Sequence, residues 1–162
     1  MKVRDVTFNN RRQAFLLDTG DRVFPYPYVR CVPAPSPSDP VREVFVDAEL
    51  AGEAITYRLA SGAEGSIHIE QALDHNRDPE YLRKMLLYRL TLEARERIEK
   101  SGLSKREIIR RLETSPAQLY RLLDPSNERK SLDKMVGLLS VLECDVDLVV
   151  RERSPIGERR RT

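Results

Sequence analysis

Two serines carry the most specific chemistry in the chain. Ser104 is followed three residues later by Glu107, and Ser115 by Gln118. In this spacing, the capping box, the serine oxygen and the side chain three positions on satisfy backbone N–H groups left open at a helix start. Two short helices are therefore predicted to begin eleven residues apart. The groups that ordinarily make and break bonds are sparse. His68 and His75 are the only histidines, and Cys31 and Cys144 the only cysteines. None stands at metal-ligand spacing or beside a nucleophile pattern. No metal, cofactor or catalytic residue is expected, and the chain is not expected to be an enzyme.

The elements that position the serines follow from composition and periodicity. With 162 residues and 40% hydrophobic side chains, the chain can bury a core in one ordinary domain or two small ones. A net charge of +2 says little, but its distribution says more. Residues 1–73 hold 8 Lys plus Arg against 10 Asp plus Glu, whereas residues 83–130 hold 13 against 7. The second half is the one suited to a polyanion. No apolar leader opens the chain, and no segment approaches the roughly 20 apolar residues that span a bilayer. A cytoplasmic protein without a membrane partner is expected.

Residues 1–77 read as a β-rich domain of antiparallel hairpins. The runs in "QAFLLDTGDRVFPY" flank a turn at Asp18–Asp21, and those in "REVFVDAELAGEAITYRLASGAEGSIHIE" break at Ala51-Gly52 and Ser61-Gly62. Ile55, Tyr57 and Leu59 alternate with Thr56 and Arg58, so one face is apolar. His68 is read as part of this strand pattern. The intervening "PYPYVRCVPAPSPSDP" predicts a long surface loop or an edge segment, because proline lacks the N–H of a central strand. At Asp78-Pro79 the pattern changes to a helix start. Leu82, Met85, Leu86, Leu90, Ala94 and Ile98 then form the predicted buried stripe, with Leu87 and Leu92 off it and a bend allowed near Thr91.

Beyond this helix, Ile108, Ile109 and Leu112 give the first short helix its buried side, and Leu119, Leu122 and Leu123 the second. Such a pair can brace its second helix so that the outer face enters a major groove. The outward residues would be Ala117, Gln118, Tyr120 and Arg121, types suited to thymine methyls, adenine, sugar-phosphate and guanine. Lys105, Arg106, Asn127, Arg129 and Lys130 could hold phosphates. Gln118 can serve its capping box or a base, Tyr120 a neighbouring helix or a sugar, and Arg110 and Arg111 fit a solvated helix face.

"LSKREIIRRLETSPAQLYRLL", residues 103–123, resembles the helix-turn-helix of the Cro/C1 (XRE) repressor family, over roughly residues 90–150. The resemblance implies a DNA-facing Lys105, a Ser115 cap near a phosphate, and base readers among Pro116, Ala117, Gln118, Tyr120 and Arg121. Two positions depart from the family. Ile109 stands where a small residue is usual and must widen or repack the helix crossing. Glu113 stands where glycine is usual and would have to take a left-handed conformation at a cost of about 1 kcal/mol.

Ser131 is placed to cap "LDKMVGLLSVLE", and "CDVDLVVRE" alternates as a short strand should. This helix-then-strand ending resembles HigA-like antitoxins, and the N-terminal part resembles a small bacterial domain of unknown function. The expected fold class is α+β: N-terminal hairpins, then an all-α helix-turn-helix bundle with a short C-terminal strand. The expected domains are 1–77, 78–153 for DNA binding, and a basic disordered tail over 154–162. The expected function is sequence-specific binding of double-stranded operator DNA by a homodimeric transcriptional regulator, with a cognate toxin as partner in the antitoxin form. The competing expectation is a protein-interaction adaptor whose helices only pack and whose β half binds a partner.

Overall fold

The computed structural model describes residues 1–152, and the chain divides into two compact units between Met85 and Leu86. The expected tail over 154–162 lies outside the described residues.

In the first unit β1 (Asp5–Asn9), β2 (Ala14–Asp18) and β3 (Val23–Pro27) form one antiparallel sheet in that order, and β4 (Val41–Val46), β5 (Ala54–Leu59) and β6 (Glu64–His68) form a second. The turn between β2 and β3 is set by Asp18, whose Oδ1 accepts the Gly20 N–H at 2.7 Å, and by Gly20 at φ +92°, a conformation that favours glycine. Register places Phe15 opposite Tyr26, Leu17 opposite Phe24, and Ile55 opposite Ile67, so alternate residues of both sheets line one core. At its centre Phe15 lies 4.8 Å from the Tyr28 ring and 4.9 Å from the Tyr57 ring. Tyr57 pairs with Gly65, where a Cβ would stand only 2.3 Å from the Tyr57 Oη, so the ring occupies the space that glycine leaves. The Tyr57 hydroxyl donates to the Pro33 carbonyl at 2.7 Å, which satisfies its polar end.

The proline-rich stretch is more ordered than a surface loop. Pro25 and Pro27 lie in β3, an edge strand that tolerates their missing donors. Tyr28 and Cys31 then anchor the chain in the core.

His68 ends β6 and starts α1 (Ile69–His75), a helix not anticipated from the pattern. Its Nδ1 accepts the Glu70 N–H, while the Gln71 Oε1 accepts the His68 N–H. This is a complete capping box on an unusual residue. Asp78 then opens α2 (Pro79–Ser101): one carboxylate oxygen accepts the Tyr81 N–H at 3.0 Å and the other pairs with the Arg22 guanidinium from the β2–β3 turn. The Tyr81 amide and Arg22 together hold this buried carboxyl below the usual aspartate range.

The second unit contains the remainder of α2, then α3 (Lys105–Arg111), α4 (Pro116–Leu123) and α5 (Leu132–Val141). Its core joins Leu87 and Ala94 to Ile108, Leu119, Leu122, Met135, Leu138 and Leu139. The expected stripe of α2 is present in part, since Ala94 is buried and Leu90 and Ile98 pack against the core. Leu87 and Thr91 are inside and Leu86 is outside, and α2 runs through Thr91 without a break. Ile109, Leu90 and Ile98 pack at the margin of this core.

The expected all-α helix-turn-helix bundle closed by a C-terminal strand is not what the structure has. The architecture is α+β, with two three-stranded antiparallel sheets first and helices after them, one of which, α1, belongs to the β unit. No strand follows α5 among the described residues. A turn at Leu142–Cys144, with Glu143 at φ +58°, ends α5. Val146, Leu148, Val149 and Val150 are left exposed. Among the described residues, no helix is long and apolar enough to cross a membrane.

Candidate nucleic-acid interface

The site is built on α3, α4 and the loop after them. Ser104 sits in extended backbone at φ −70°, and its Oγ accepts the Glu107 N–H at 3.2 Å. Ser115 does the same for Gln118 at 3.2 Å, with Pro116 following in the first turn of α4. Both helix starts lie where the serines predict them, yet neither box is reciprocal. The Glu107 carboxylate accepts instead from Arg110 (2.6 and 3.0 Å) and Arg111 (2.8 Å), and hydrogen bonds from these two guanidinium groups pull its pKa down to about 2. Arg110 and Arg111 are thereby paired with an acid on their own helix.

Between the helices the chain turns by a Schellman motif. The Glu113 N–H donates to the Arg110 carbonyl at 3.2 Å and the Thr114 N–H to the Ile109 carbonyl at 3.1 Å, with Glu113 itself at φ +53°. The left-handed backbone expected at this non-glycine residue is therefore present.

Leu119 and Leu122 turn α4 into the core, which leaves Pro116, Ala117, Gln118, Tyr120 and Arg121 exposed on its other side. Tyr120 does not pack inward. Its ring, 58% exposed, lies under the Lys105 ammonium, with Nζ 5.2 Å from the ring centroid. The first residue of α3 thus leans over the open face of α4. Arg106, beside it, is exposed as well.

The loop after α4 divides the remaining candidates. Arg129 is exposed. Asn127 is occupied at both ends of its amide: Nδ2 donates to the Arg121 carbonyl at 3.0 Å, capping α4, and Oδ1 accepts the Arg129 N–H at 3.1 Å. Lys130 departs most from expectation. It is only 7% exposed, and its ammonium donates to Thr91 Oγ1 (2.6 Å) and to the carbonyls of Leu122 (2.9 Å) and Asp124 (2.6 Å). Three donors meet three oxygens, so Lys130 ties the end of α4 to α2 and offers no phosphate contact. Burial lowers its pKa, and the nearby Asp124 charge opposes that shift. Thr91, its partner 39 residues away, escaped the sequence reading because a threonine on a helix carries no local sign of such a role.

Searches of family models, curated proteins and solved structures return no match. The functional reading therefore rests on this geometry. An exposed helix face displays a small, an amide, an aromatic and a guanidinium side chain, with Lys105 leaning over it, and Arg106 and Arg129 are exposed on the neighbouring segments. Such a surface can make amide and guanidinium contacts to base edges while its rim meets phosphates.

Proposed function

We propose that the chain binds double-stranded DNA, with the exposed face of α4 in the major groove and Lys105, Arg106 and Arg129 on the flanking phosphates. One observation carries the reading: Ala117, Gln118 and Arg121 are exposed together on α4, and Glu107, the acid that follows Lys105 and Arg106 on α3, is paired with Arg110 and Arg111. Gln118 gives its N–H to the cap, which leaves the side-chain amide outside the box and able to bridge adenine N6 and N7. Arg121, one turn further on, is suited to guanine. Regulation of transcription is the role such a reader serves.

The test is binding to a randomised duplex pool at graded salt. Affinity should fall steeply with salt, and the selected sequences should share a short core. Arg121→Ala should cost about 1–3 kcal/mol on the selected site and relax one base position. Lys105→Ala should weaken all sequences alike and reduce the salt slope by about one. Arg110→Ala, whose charge is already paired, should do neither. A chain that binds no duplex at low salt but retains a protein partner would be the adaptor instead.

A further inference from the structure

Asn127 and Lys130 both turn back onto the last turn of α4, the turn that carries Arg121. The final carbonyls of a helix have no partner within it. Here the loop that follows supplies one to each of three. The Arg121 carbonyl accepts from Asn127 Nδ2 at 3.0 Å, and the Leu122 carbonyl from Lys130 Nζ at 2.9 Å. The Asp124 carbonyl accepts from the same ammonium at 2.6 Å and from the Asn127 N–H at 3.1 Å. The remaining Lys130 bond leaves this turn and reaches Thr91 Oγ1 on α2 at 2.6 Å. Thr91 is fully buried and gives its own hydroxyl proton to the Leu87 carbonyl at 2.7 Å, so its oxygen presents lone pairs to the ammonium. Ser115 fixes the start of α4, and this chain of bonds fixes its end against α2. Arg121 stands at that second end. A guanidinium that forks onto a base edge must be held to roughly 0.5 Å, and its backbone therefore has to be held as well.

We infer that Thr91 and Lys130 are positioning residues for Arg121, which set how sharply it discriminates between bases and touch no DNA themselves. The assignment rests on α4 being the reader proposed above, and it places part of that reader's specificity on two buried side chains.

The full chain is titrated at several salt concentrations with two duplexes, the selected site and the same site altered at the base pair where Arg121→Ala relaxes preference. The ratio of the two affinities decides. An unfolded fraction lowers both affinities by one factor and leaves their ratio unchanged, so lost stability alone does not move it. Lys130→Met should reduce the ratio about tenfold, within the roughly 5- to 150-fold that a bidentate base contact confers, and should keep the wild-type salt slope. Thr91→Val retains the side-chain shape and both carbonyl bonds of Lys130 but leaves the ammonium one acceptor short. It should reduce the ratio about threefold, and it carries the test where Lys130→Met does not fold. Thr91→Ser keeps the oxygen and should keep the ratio. Arg129→Ala should do the reverse of Lys130→Met, lowering the salt slope by about one at an unchanged ratio. A salt slope lowered by about one in Lys130→Met would overturn the inference, because Lys130 would then be a phosphate contact. Unchanged ratios in both Lys130→Met and Thr91→Val would overturn it while leaving α4 as the reader, whereas a wild-type chain that binds every duplex alike would overturn both.

Discussion

At the centre of the β unit Phe15 stacks obliquely on Tyr28 and Tyr57, and at comparable depth in the helical unit an ammonium, that of Lys130, meets three oxygens. The first arrangement is held by apolar area and ring shape, which tolerate no polar intruder. The second is held by polar atoms that must each find a partner, because an unpaired buried group costs more than a made hydrogen bond returns. The contrast continues outward. The β unit covers its rings with two sheets and α1, whereas the helical unit depends on short helices whose ends are fixed residue by residue. A surface for reading another molecule is more easily carried by the second kind of unit, since the outer face of α4 is free of packing duty.

The largest expected effect separates the two kinds of core. Phe15→Ala removes a fully buried ring and should destabilise the β unit by about 3–5 kcal/mol. Hydrogen exchange should show faster opening of β2 and β5 amides while those of α4 and α5 keep their protection. Loss of protection in both units together would show that the chain opens as one, and the comparison would break. Lys130→Met is the reciprocal experiment. It keeps most of the volume but strands the carbonyl of Leu122 and leaves that of Asp124 with the Asn127 N–H alone, at about 1–3 kcal/mol, confined to amides of the helical unit. If Lys130→Met were neutral, the ammonium would be an incidental occupant of an apolar core.

The difference also explains what could be read from the sequence. Alternation over Ile55, Tyr57 and Leu59 and the turn at Asp18–Asp21 are local patterns, and they locate the strands. Ser104, Ser115 and Asp78 are local too, and they place three helix starts. Lys130 is a basic residue in a basic loop, and only contact with Thr91 reveals it as internal. α1 was hidden because its cap is a histidine at the end of a strand. Thr91 was legible only as a place where α2 could bend, and it lies inside because its hydroxyl has Lys130 to bond. Alternation after Cys144 gave a strand signal, but a strand also requires an edge to pair with, and periodicity cannot supply one.

The caps give a smaller and sharper contrast within the helical unit. Ser115→Ala removes the acceptor of the Gln118 N–H and should cost about 1 kcal/mol, read as a lower unfolding midpoint at an unchanged denaturant slope. Ser131 occupies the same position before α5 but makes no side-chain cap bond to the helix. Ser131→Ala should therefore cost less than Ser115→Ala, although both serines precede their helices in the same way. Equal costs would mean that N-cap residue type, rather than the bond, sets the stability of these helix starts.

The smallest expected effect is a gain, and it is shared by the two units. Arg77 after α1 and Glu113 after α3 both stand at φ +53° in the same kind of turn, with the following N–H bonded back to Leu73 and Ile109 respectively. A left-handed residue with a Cβ is strained by about 1–2 kcal/mol, and glycine removes that strain while adding freedom to the unfolded chain. Arg77→Gly and Glu113→Gly should each stabilise their own unit by a net of about 0.5–1 kcal/mol. Glu113→Ala keeps the Cβ and deletes the charge, so it should leave the strain in place and show no such gain. The two substitutions at residue 113 also divide the proposed interface from the fold. Both remove a negative charge from the turn before α4, so both should tighten DNA binding to the same degree, whereas only the glycine should raise the unfolding midpoint.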